Sequence, residues 1–121
     1  MFKITKPSEN RVDITIDGEI DQDTMRNALW DLLAKSEGVS DGRMYYTLTN
    51  FEMPSLAAIG VEMTFLPKLF GLLSKFSKCA LVADAAWLRK AAEIEGALIP
   101  GLEIKGFEVG QEAEAEAWLA A

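Results

Sequence analysis

The clearest hydrophobic pattern in the chain is a short one. From Arg11 to Asp17, Val12, Ile14 and Ile16 alternate with Asp13, Thr15 and Asp17, and a two-residue period buries only one face of a β-strand. Phe2 to Lys6 reads as a partner strand. The turn residues Pro7-Ser8-Glu9-Asn10 between them predict a hairpin at or near a sheet edge. From Ile20 to Ser36 the period becomes helical, with Met25, Leu29, Leu32 and Leu33 on one stripe and Trp30 off it. Asp21 or Asp23 supplies its N-cap, and Gly38 stands just past its end.

Met44 to Leu48 is a strand without clean alternation, as expected where both faces are covered. The most apolar stretch follows, from Pro54 to Phe76, with only Glu62 and Lys68 charged between Leu56 and Leu73. As one helix advancing about 100° per residue, it places Ile59, Met63, Leu66, Phe70 and Leu73 on one stripe. Ala58, Phe65, Leu69, Leu72 and Phe76 form a second beside it. The two cover an apolar arc of roughly 200°, about twice what a surface helix needs. The excess must meet another helix, a partner chain, an apolar ligand or a membrane surface. Pro67 lacks a backbone donor, so a kink or break is expected near Leu66.

Lys78 to Ala83 is a buried strand leading into Asp84, a good N-cap for a helix from Ala85 to about Gly96. That helix is expected to turn Leu88, Ala91, Ala92 and Ile94 inward and to pair Arg89 with Glu93. Leu102 to Phe107 is a last strand, and Gln111 to Leu119 an acidic closing helix. Two strands followed by alternating helices and strands imply a mostly parallel sheet with right-handed crossovers.

At 121 residues the chain is sized for a single domain, 1–121, with its own core. A net charge of −7 without a Lys/Arg cluster argues against a nucleic-acid partner. Cys79 is the one cysteine, so no intrachain disulfide forms, and the N-terminus lacks a signal-peptide core; a cytoplasmic location is expected. Two charges, two glycines and a proline between Leu56 and Leu73 argue against a membrane span.

There is no histidine, which removes the usual general base and the commonest metal ligand. Cys79 has no imidazole to activate it, and no glycine-rich phosphate loop is present. Neither an enzyme nor a cofactor or metal is expected. The carboxylates Asp17, Glu19, Asp21 and Asp23 imitate the start of a calcium loop, but Gln22 stands where the turn glycine belongs and Ala28 where the bidentate glutamate belongs. A helix start that favours acids is the better reading.

Several pieces together resemble the SpoIIAA-like family, whose fold is shared with STAS domains of anti-sigma-factor antagonists. They are Asp17-Gly18-Glu19-Ile20, Tyr46-Thr47-Leu48 with Asn50-Phe51, Ala80-Leu81-Val82-Ala83-Asp84 with Trp87-Leu88, and Phe107 with Ala117-Trp118-Leu119. The resemblance implies an α/β, STAS-like βα superhelix with a small mixed, mostly parallel sheet of about five strands and about four helices. It also implies a non-catalytic role and an apolar region that receives a lipid-like ligand or a membrane surface. Sporulation antagonists carry a phosphorylatable serine in an Asp-Ser-Ser-Gly turn. Met53-Pro54-Ser55-Leu56 keeps the serine but not the flanking aspartate and glycine, which favours Ser55 as a cap or first-turn residue.

The first functional reading is a binding module whose apolar surface or pocket is lined by Met63, Phe65, Leu69, Leu72, Phe76 and Trp87 and takes an apolar small molecule or lipid. The alternative is a regulatory interaction module using the same surface for a homodimer or a signalling partner. Membrane contact would be at most peripheral.

Overall fold

A computed structural model describes residues 2–18, 21–50, 64, 66–97 and 99–121. Five strands form one sheet in the order β1-β2-β3-β4-β5: β1 (Phe2–Ser8), β2 (Arg11–Asp17), β3 (Gly42–Thr49), β4 (Phe76–Ala83) and β5 (Glu103–Phe107). β1 and β2 make the expected antiparallel hairpin at one edge, and every later pair is parallel. The described helices are α1 (Gln22–Lys35), α2 (Leu66–Leu73), α3 (Ala86–Ala97) and α4 (Glu112–Ala120). This is the STAS-like βα arrangement.

The register gives the sheet two unlike faces. Val12, Met44, Cys79 and Ile104 lie abreast across β2 to β5, followed by Ile14, Tyr46 and Leu81, then Ile16, Leu48 and Ala83. This face carries the main core. Met25, Leu32 and Leu33 of α1, Leu72 and Leu73 of α2, and Leu88 and Ala92 of α3 all pack on it. The opposite face presents Asp13, Tyr45, Ala80 and Lys105 in one row and Thr15, Thr47, Val82 and Phe107 in the next. Only its β4 and β5 side is apolar, and there Ala115 and Leu119 of α4 pack on Ala80, Val82 and Phe107, with Trp118 alongside. β4 is thus covered on both sides, and Cys79 to Ala83 are all buried.

Two expectations for α3 are corrected. Ile94 is 60% exposed, because it follows the packed Ala92 by two positions and so lies about 200° round the helix. Arg89 does not pair with Glu93. It donates to the Ala83 carbonyl at 2.7 Å and lies 3.7 Å from Glu108, while Glu93 Oε2 accepts the Gly106 backbone N–H at 3.0 Å. The cause is close contact between α3 and β5, which carries Arg89 across Gly106: a Cβ on Gly106 would come within 2.6 Å of Arg89 Cβ.

Candidate functional site

The apolar run after β3 is entered through a polar knot at the carboxyl ends of the parallel strands. Asn50 holds φ at +49°, a left-handed conformation that asparagine tolerates better than most residues. Its side-chain amide donates to Asp17 Oδ1 at 2.9 Å, and its backbone N–H donates to Asp84 Oδ2 at 2.9 Å. Thr49 Oγ1 also donates to Asp17, at 3.3 Å. One residue therefore ties the ends of β2, β3 and β4 together. Asp84, expected as a helix cap, commits one oxygen to this knot.

The chain re-enters the described region at α2. Pro67 belongs to α2, and Thr64 before it is also helical; the kink or break expected near Leu66 falls on a stretch that includes residues outside the described ones. Leu72 is buried in the core and Leu73 packs against it, whereas Pro67, Lys68 and Gly71 face solvent. Ser74 and Lys75 end the helix: Ser74 Oγ donates to the Gly71 carbonyl at 2.7 Å and the Lys75 N–H to that of Leu72 at 3.0 Å. Phe76 therefore belongs to β4, not to a helix running from 54 to 76. It is buried in the same cluster as Leu72, Val39 and Met44. Lys68 Nζ stands 4.1 Å from the ring centroid of Trp30 on α1, a cation–π contact that joins the two helices.

Among the predicted lining residues, Leu72 of α2 and Phe76 of β4 are buried in the same core cluster. Trp87 stands apart in the first turn of α3, 56% exposed. Met63, Phe65 and Ser55 lie outside the described residues, as does the side chain of Leu69. An open groove between β1 and α1, lined by Phe2, Thr24, Asn27, Ala28 and Asp31, involves none of them.

The remaining polar chemistry serves the fold. Asp21 Oδ1 accepts the Thr24 N–H at 2.8 Å as the N-cap of α1, which holds its carboxyl below the usual range. Asp23 pairs with Arg26 at 3.4 Å. Burial alone pushes the Cys79 thiol up to about 12, so it stays protonated and unreactive near neutrality. No group of three or more potential metal ligands occurs among the described residues. No described helix is long and apolar enough to cross a membrane.

Sequence reasoning missed an ion cluster on the sheet's other face. Arg11, Arg43 and Lys78 occupy one register row, side by side on β2, β3 and β4. Arg11 grips Glu116 of α4 with both terminal nitrogens, at 2.7 and 2.6 Å, and reaches Asp13 at 2.8 Å. Arg43 Nε donates to the Leu119 carbonyl at 2.9 Å, and Lys78 Nζ to those of Trp118 and Ala121 at 3.1 and 2.8 Å. The available signal was a cation at or just before the start of three of the predicted strands, Arg11, Arg43 and Lys78.

A mixed sheet with a leading hairpin, parallel crossovers and a closing helix on the far face defines a STAS-like module. The SpoIIAA-like family pattern matches residues 11–120, and the chain belongs to that family. Among solved structures it is similar to an uncharacterized protein from the DUF3478 family with a SpoIIAA-like fold from Shewanella loihica PV-4. The TM-score is 0.75 at 16% identity, covering 98% of this chain and 92% of that one. No curated protein matches the sequence.

Proposed function

We propose that the protein is a non-enzymatic binding module that receives a lipid-like molecule or membrane surface around residues 54–76. The observation that carries this reading is a pair of exposed indoles on the helical face. Trp30 on α1 is 51% and Trp87 on α3 56% exposed, and Lys68 of α2 lies over the Trp30 ring. A half-exposed indole beside a lysine, as at Trp30, suits the boundary between an apolar phase and water, and so does the half-exposed Trp87. Leu72 and Phe76 are buried in the core, so in this reading contact falls to Trp87 and to Met63, Phe65 and Leu69 of the run. Membership of a family of regulatory and binding modules supports the reading, as does the inert thiol of Cys79.

The test is native mass spectrometry of protein purified without detergent, with Phe65→Asp in parallel. An adduct of lipid-like mass that is lost on denaturation and absent from the folded variant is the expected result. A clean dimer without adduct, converted to monomer by Phe65→Asp, would instead assign the surface to self-association, the alternative that STAS-like regulatory modules suggest. Sedimentation with neutral and anionic vesicles separates an enclosed molecule from a membrane surface.

A further inference from the structure

Three cations abreast on neighbouring strands repel one another, and side chains directly opposite in a sheet are close enough for this to destabilise it. Arg11, Arg43 and Lys78 are such a row, relieved at one end by Glu103 of β5 opposite Lys78. What α4 offers them is specific: a carboxylate from Glu116, then the carbonyls of its last turn, where the helix dipole is negative. Beside the row lies a small apolar seat of Ala80, Val82 and Phe107, which Ala115 and Leu119 fill. The sheet thus carries a built receptor for the C-terminal end of an acidic helix.

The apolar hold of α4 on its own sheet is small, and the rest is polar and partly exposed. The helix has nine residues and fully buries only Ala115 and Leu119, and a helix this short does not persist undocked. Its link to β5 is the exposed connection 108–111, where Gly110 sits at φ +104°. That turn is closed by a backbone bond from the Gln111 N–H to the Glu108 carbonyl at 3.0 Å and by exposed bonds from the Glu108 N–H to Gln111 Oε1 at 2.9 Å and from the Gly110 N–H to Glu112 Oε1 at 3.1 Å, with Glu108 3.7 Å from Arg89. Opening trades them for water at small net cost. Val109 in the same turn is 53% exposed, and a β-branched residue favours an extended backbone once the turn opens.

We propose that this receptor also accepts α4 of a second copy of the chain, so that two molecules associate by exchanging their last described helices. A second copy supplies the same carboxylate, carbonyls and apolar pair, so every contact of the closed form is remade and only the turn is lost. The inference is independent of what the 54–76 region binds.

Charge reversal tests it. Arg11→Glu and Glu116→Arg each place like charges at the latch of their own chain. In a mixed, exchanged dimer the introduced glutamate on one β2 meets the introduced arginine on the other chain's α4. The native Arg11 and Glu116 meet at the second receptor, so both latches are restored. The expected result, by native mass spectrometry of the full chains, is a dimer-to-monomer ratio roughly tenfold or more higher in the mixture than in either variant alone. A mixture no more dimeric than its components overturns the proposal, because a dimer without exchange gains nothing from mixing. Should either variant fail to fold, isotope-light and isotope-heavy preparations of the unaltered protein are mixed at high concentration after brief exposure to moderate urea. The mixture is then treated with a reagent that joins lysines to carboxylates: a Lys78-containing peptide of one mass linked to a Glu116-containing peptide of the other supports exchange, and links only between peptides of equal mass refute it.

Discussion

Ser36 is the C-cap of α1 and fully buried, yet its hydroxyl has no hydrogen-bond partner among the described residues. An unsatisfied buried hydroxyl carries a desolvation penalty that nothing offsets. Ser36→Ala is therefore expected to leave stability unchanged or raise it by up to about 1 kcal/mol, read as an unchanged or higher urea midpoint at constant m-value. The contribution of Ser36 is through its backbone, whose carbonyl accepts from the Val39 N–H at 3.2 Å and Lys75 Nζ at 3.4 Å. At this scale the sequence was readable where polarity and period agreed. Trp30, off the stripe of α1, is exposed, and Asp21 caps the helix. It misled where an apolar side chain faces water. Hydrophobicity alone turns Ile94 inward, whereas the packed stripe of α3 runs through Leu88, Ala92 and Gly96.

That stripe shows how an element is seated by what it lacks. α3 lies so close to β5 that a Cβ on Gly96 would come within 2.7 Å of Ile104 Cγ1. On Gly106 it would come within 3.1 Å of Arg89 Cα, which cannot rotate away. Gly96→Ala and Gly106→Ala are each expected to cost about 1–3 kcal/mol, with Gly106 the more severe because it meets backbone. Urea unfolding followed by far-ultraviolet circular dichroism checks both. The order of the described elements was legible, because a two-residue period over Arg11–Asp17 and a helical one over Gln22–Lys35 are long enough to be distinguished. The Pro54–Phe76 run was not. Its last residue opens β4, and a short apolar strand adjoining an apolar helix has no periodicity of its own to mark the join. Only the Ser74-Lys75 turn separates them. This is also why Phe76, expected to line the candidate site, is a strand residue of the core.

Across the whole molecule the two faces respond to different variables. The helical face is held mainly by apolar packing, while α4 adds a charged latch that joins positions 105 residues apart in sequence. Such pairing cannot be read from local pattern, since it depends on strand register. The two-pronged hydrogen bond from Arg11 holds the Glu116 carboxyl below its ordinary value of 4.5, and Arg11 stays charged throughout. A lowered folded value means the latch contributes fully above about pH 4.5 and is lost as pH falls through the folded pKa. Because Glu116 is half exposed, the effect is modest. Acidification from pH 7 to 3 is expected to change Trp118 fluorescence before the helical signal collapses. Glu116→Gln should remove that early phase; its persistence in the variant would assign it to another carboxylate. The bond from Gly106 to Glu93 has a further consequence at this scale. It stoppers an outward-facing amide on β5, and β1 at the other margin carries Lys3, Lys6 and the donorless Pro7. With one border plugged and the other charged, the sheet is a poor template for stacking strand upon strand into fibres. At high concentration the protein should remain free of ribbon-like aggregates, with its helices rather than its strand borders available for association.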